Sequence, residues 1–174
     1  MDAMAHPGKR YLFDSPVKKP AALTPITDTL FDHEVTFTVI GSSVQEQEIE
    51  EIRFRTGAVY SDIENAAYIL ITGGSSDGAL INAPVGTLTY PDKGATIIFK
   101  AIDLTSTNGI KLQLAGPGIK GDQTCTIDGV REDEFRIAKQ LNSRFPLGVD
   151  MIFCDTTSVV AIPRSTHITL PGEA

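Results

Sequence analysis

Arg164-Ser165-Thr166-His167 puts a guanidinium, two hydroxyls and an imidazole in four consecutive positions. Those groups together could bind an anion, since arginine offers a planar fork of donors and histidine a second donor or cation. They follow an apolar run, residues 158–162, that stops at Pro163. Proline has no N–H to give to a ladder, so strand pairing should end there. Residues 149–154 also read as a strand, and Thr156-Thr157 fits a two-residue turn between the two. Counting from that turn pairs Asp155 with Ser158 and sets Asp150 opposite Pro163, beside Arg164. One expectation is therefore an Asp150–Arg164 ion pair tying off the hairpin. The other is an anion site in which Arg164, Ser165, Thr166 and His167 donate while Asp150 orients the arginine. The two are compatible.

Other groups carry weaker signals. Gly73-Gly74-Ser75-Ser76-Asp77-Gly78 follows a strand and precedes a short helix, a context in which backbone N–H groups can cradle phosphate. It lacks the Gly-Lys-Ser/Thr ending of a P-loop and the spacing of a dinucleotide fingerprint, so a plain turn is the expectation. His6, His33 and His167 are scattered and Cys125 and Cys154 have no ligand-spaced partner, so no metal site is expected. Neither cysteine lies in a nucleophile motif, and Cys154 ends an apolar strand, as a core thiol would. Glu46, Glu48, Glu50 and Glu51 read as the wet face of a helix.

The elements that must position these groups can be read from periodicity. Residues 35–40 are a predicted strand. Ser43 with Glu46 makes a capping box for a helix that Gly57 ends. Residues 67–72 and 95–102 are apolar runs bounded by turn residues, hence strands. Asn108-Gly109 suits a tight hairpin turn, and 110–114 alternates like a strand with one wet face. The last helix is predicted over 131–144, with Phe135, Ala138, Leu141 and Phe145 forming one apolar stripe. A short final strand is expected at 168–170. Residues 1–25 read mostly as loop. The fold class that follows is α/β: one domain, three layers, a mixed β-sheet flanked by helices.

A chain of 174 residues suits one domain with a real core. Its net charge of −7 and pI near 4.9 argue against nucleic acid or an anionic membrane as partner. No apolar run approaches the ~20 residues that cross a bilayer, and residues 1–8 lack the apolar core of an export signal. A cytoplasmic location and reduced thiols are the expectation.

Six collinear blocks resemble the PhnH family of the bacterial carbon–phosphorus lyase system. They are Asp2-Ala3-Met4-Ala5-His6-Pro7-Gly8, Arg53-Phe54-Arg55-Thr56-Gly57-Ala58, and the segment from Gly86-Thr87-Leu88-Thr89-Tyr90-Pro91 to Thr96. Leu114-Ala115-Gly116-Pro117-Gly118-Ile119, Phe145-Pro146-Leu147-Gly148-Val149-Asp150 and Ile162-Pro163-Arg164-Ser165-Thr166-His167 complete the set. The resemblance implies a fold like the large domain of pyridoxal-phosphate (PLP)-dependent transferases, without that family's cofactor lysine and with no cofactor. It implies a homodimer that joins PhnG, PhnI and PhnJ in a core complex. There it would support displacement of adenine from ATP by a phosphonate, giving a ribose 1-phosphonate 5-triphosphate, without turning over alone. It supplies no catalytic residue. The alternative is a protein that binds a phosphonate or nucleotide phosphate at its own anion site near Arg164. Family members carry a helix-length segment before the Ala-Met-x-His-Pro-Gly turn. Here Met1 stands two residues before Ala3, so an element covering apolar surface is expected to be missing or to lie upstream.

Overall fold

Strands covered on both faces have no wet side to mark, which is why the continuous apolar runs become the centre of the sheet. The computed structural model describes residues 2–13, 23–41 and 46–173. In chain order the elements are α1 (Asp2–Ala5), β1 (Tyr11–Leu12), α2 (Thr24–Leu30), β2 (Thr36–Ile40), α3 (Glu46–Thr56), β3 (Val59–Tyr60) and β4 (Tyr68–Ile71). They continue with β5 (Thr96–Lys100), β6 (Ile110–Ala115), β7 (Gln123–Ile127), α4 (Glu132–Leu141), β8 (Asp150–Cys154), β9 (Ser158–Ile162) and β10 (His167–Thr169).

Seven strands form one sheet in the order β1-β9-β8-β5-β4-β2-β3. The stretch from β3 to β8 is parallel throughout, whereas β9 and β1 add antiparallel pairings at one edge. A second, antiparallel sheet has the order β10-β6-β7. Successive side chains of the large sheet alternate between two cores. Ile69, Ile97, Phe99 and Phe153 meet Leu112 and Leu114 of the small sheet and Phe135 of α4. Leu70, Ile98 and Ile152 meet Phe31, Phe37 and Ile52 on the side of α2 and α3. Phe153 stacks between Phe99 and Phe135, at centroid distances of 5.1 and 5.6 Å, joining the sheet to α4. Each such buried ring contributes roughly 2–3 kcal/mol of transfer free energy.

The protein is therefore mixed α/β with a mixed sheet, as the periodicity predicts. One flank departs from the expectation of helices alone, because the small sheet shares it with α4. Asn108-Gly109 does not turn a hairpin: β5 pairs with β4 and β8, while β6 pairs with β7 and β10. Gly109 serves close packing instead, since a Cβ there would lie 2.2 Å from the Ile127 carbonyl oxygen. α2 begins at Thr24, at the end of the segment 1–25 expected to be mostly loop, and runs beyond it; Pro25 stands in its first turn, where a missing N–H costs nothing. β1 likewise pairs with β9. Gly57 ends α3 in the left-handed region, φ +77°, whereas the proposed cap Ser43 lies outside the described residues. α4 ends at Leu141, and a 3-10 turn over Asn142–Arg144 swings Phe145 off the predicted stripe; it is 68% exposed.

Candidate functional site

Counting from Thr156-Thr157 gives the register that β8 and β9 adopt. Met151 faces Ile162 and Cys154 faces Val159, so Asp150 stands opposite Pro163. Asp155 and Ser158 close the turn, with the Asp155 N–H donating to the Ser158 carbonyl at 3.1 Å. Beyond Pro163 the chain turns, the Thr166 N–H donating to the Pro163 carbonyl at 2.9 Å. His167 then begins β10 in the small sheet, opposite Ala115 of β6. Residues 163–166 thus carry the chain from one sheet to the other.

Arg164 is held from several directions. Its backbone N–H and Nε donate to Asp150 Oδ1 at 2.8 and 3.2 Å, and Nη2 donates to Oδ2 at 2.5 Å. Nη1 donates to the Pro91 carbonyl at 2.7 Å, and Nη2 also approaches the Gly94 carbonyl at 3.4 Å. The guanidinium therefore joins the β8–β9 ends to the loop before β5. Gly94 makes room for it, since a Cβ would sit 2.4 Å from Nη1 and 2.2 Å from the Gly148 carbonyl.

Beside this clasp lies an open cleft of about 380 Å³. Arg164, Ser165, Thr166 and His167 line it together with Lys139, Ser143 and Phe145. Asp150 is not part of the lining. Thr166 is 6% exposed and its Oγ1 has no hydrogen-bond partner among the described residues. Lys139 is paired with Glu173, as is Arg136. The Lys139 bond, ahead of the Leu170 N–H, holds the Glu173 carboxyl below the usual range. The sequence places four of the lining residues together. Lys139, Ser143 and Phe145 give no comparable signal, the first two being polar residues of a helix end and the third part of its predicted apolar stripe.

The glycine loop is a cradle already occupied by the protein. Glu134, 1% exposed, accepts the Ser76 N–H at 2.7 Å and the Ser75 and Ser76 hydroxyls at 3.1 Å on Oε1. Asp155 fills a similar concavity at the end of β8, accepting N–H bonds from Leu104, Thr157 and Ser158 at 2.7–2.9 Å. Burial raises its pKa, yet these bonds and the Thr157 hydroxyl outweigh that and leave it below the usual value. Burial pushes both Cys125 and Cys154 up to about 12, so neither is a ready nucleophile. Among the described residues no group of three His, Cys, Asp or Glu could hold a metal ion. No described helix is long and apolar enough to cross a membrane.

What these features define is a three-layered α/β domain whose polar cradles are largely filled from within. Residues 1–169 match the family described as Bacterial phosphonate metabolism protein (PhnH). The chain belongs to the PhnH family. It is also similar to the "Putative C-P lyase subunit protein HtxG" of Stutzerimonas stutzeri, 32% identical over 120 residues. That stretch covers 68% of this chain and 58% of HtxG, so the chain spans little more than half of its curated relative.

Proposed function

We propose that this chain is a subunit of a carbon–phosphorus lyase, working within an assembly rather than turning over alone. The family match carries this reading, because it extends over residues 1–169 and so takes in every described element. The name of the Stutzerimonas relative supports it. In this reading the protein is a cytoplasmic homodimer that joins PhnG-, PhnI- and PhnJ-type subunits. There it supports replacement of adenine on ATP by a phosphonate, giving ribose 1-phosphonate 5-triphosphate. The likeness to the large domain of PLP-dependent transferases is part of the same proposal and concerns architecture, not chemistry.

Exposed apolar side chains suit a chain that buries surface against partners. Phe54 is 93% exposed at the end of α3, close in sequence to the two-residue edge strand β3, whose Val59 and Tyr60 are also exposed. Co-expression with tagged PhnG-, PhnI- and PhnJ-type proteins tests the reading. The expected result is co-elution in one stable complex on gel filtration. Elution of this chain apart from a complex of the other three would overturn it.

A further inference from the structure

We infer that a second copy of this chain packs against the rim where the parallel strands begin, a contact that rests on the homodimer proposed above and gives it a surface. The first residues of β3, β2, β4, β5 and β8 stand in neighbouring rungs: Val59 pairs with Thr36, Phe37 with Tyr68, Tyr68 with Thr96, and Thr96 with Asp150. Four steps between strands make this rim roughly 20 Å long.

Exposed apolar side chains gather along it. Of nine large ones exposed among the described residues, Val59 and Tyr60 form β3 and Phe54 lies in the last turn of α3, which leads into β3. Leu88 and Tyr90 sit in the loop entering β5, and Phe145 in the one entering β8. Leu12 and Ile102 belong to the opposite rim, beyond the ends of β8 and β5, and Ile81 to the connection from β4 to β5. At their observed exposures the six side chains of the rim present on the order of 700 Å². A standard interface takes about 800 Å² from each protein, so the patch suits a whole protein. It is also already shaped. Thr87 and Tyr90 exchange backbone bonds of 3.1 Å in both directions, and Asn142 clasps Val149 through Oδ1 at 2.7 Å and Nδ2 at 3.1 Å. Little ordering is left to do on binding.

Charge selects the occupant. Glu34, Asp62 and Glu64 are exposed toward the β2–β3 end, Lys93 and Arg144 toward the β5–β8 end. None of the five joins an ion pair among the described residues. Arg53 and Arg55 at the acidic end are already paired, with Glu50 and with Asp28 and Glu51, while Asp92 offsets part of the basic end. A two-fold axis through the middle of the rim reverses one copy against the other. The acidic end of each copy then meets the basic end of its mate, whereas like ends together would oppose like charges.

Sedimentation velocity of the full chain alone, over a concentration series, reads this contact without the other subunits. A dimer at micromolar concentration is expected. Tyr90→Glu and Phe145→Glu should each weaken it about tenfold or more, while Leu12→Glu and Ile102→Glu should leave it unchanged. Circular dichroism melting reports whether each variant is folded. Changing Glu34, Asp62 and Glu64 to lysine in one chain, or Lys93 and Arg144 to glutamate in another, should weaken each dimer, and mixing the two chains should restore it. A dimer that the rim variants leave intact would overturn this contact and keep the homodimer. Mixed chains that do not recover would overturn the two-fold pairing. A wild-type chain monomeric at every concentration would overturn contact and homodimer together, and co-elution with PhnG-, PhnI- and PhnJ-type proteins would still decide the subunit reading separately. Loss of that co-elution in rim variants of such a monomer would assign the rim to one of those proteins instead.

Discussion

Asp150 holds Arg164 by its backbone as well as its side chain, with bonds of 2.8 Å to the N–H and 2.5 Å to Nη2. The carboxylate thus does the work of the next rung that Pro163 denies the ladder. Both side chains are largely withdrawn from water, at 14% and 16% exposure. A pair placed like this adds little net stability compared with an apolar substitute, but losing one partner strands the other.

Arg164→Ala is therefore expected to lower stability by about 2–4 kcal/mol, leaving Asp150 and two carbonyls short of donors. Arg164→Lys should recover only a small part, because one ammonium cannot reach Asp150, Pro91 and Gly94 together. Urea denaturation of the two variants measures this. A loss below about 1 kcal/mol for the alanine variant would show the clasp to be dispensable.

Glu134→Ala should loosen the loop at 73–78, since it leaves the Ser76 N–H and hydroxyl unpaired inside the protein. The expected cost is about 2–4 kcal/mol. Faster hydrogen exchange at Ser76 and Leu80 should accompany it, because the Leu80 N–H bonds to the Ser76 hydroxyl. Unchanged protection at both amides would show that the carboxylate does not hold the loop.

Asp155 makes stability acid-sensitive in a stated direction. Its folded pKa lies below the ordinary value of 3.8, so the folded state favours the charged form. The stabilisation is present above that ordinary value and is lost as the pH falls through the folded one. Asp155→Asn should be less stable than wild type at pH 7 and should lose less on acidification through this window. Parallel stability curves for the two proteins would contradict the assignment.

Cys125 and Cys154 should resist thiol reagents while the chain is folded and react once it unfolds. Burial raises both to about 12, so almost no thiolate is present at pH 8. Titration with a disulfide reagent, with and without denaturant, gives the comparison. Rapid labelling of two thiols in the native protein would refute it.

The hairpin end was legible because three local signals agree on it. A polar two-residue turn sets the register, a proline stops it, and Asp150 then falls next to Arg164 without further assumption. The small sheet was not legible for the opposite reason. β6 finds its partners at 123–127 and 167–169, and nothing near Asn108-Gly109 announces either. β7 does alternate, with Cys125 and Ile127 buried, but its threonines and glutamine soften the pattern. Glu134 looks like an exposed first-turn acid, and only the glycine loop 58 residues earlier in the chain buries it. Phe145 continued a helical stripe by spacing alone, yet the helix stops before reaching it.

Between β5 and its parallel neighbour β8 the chain makes one long excursion that contains β6, β7 and α4. Most of the layer over that face is thus a single crossover rather than an independent module. Such a layer can be remodelled by substitution or insertion without rethreading the large sheet, which keeps its strand order regardless. The restraint on that freedom comes from outside the crossover: β10 latches onto β6 after the chain has left β9. Residues 163–166 accordingly act as a short tether, and any drift of the small sheet relative to the large one must be absorbed there as well as in the crossover's own connections, residues 101–109 and 128–149.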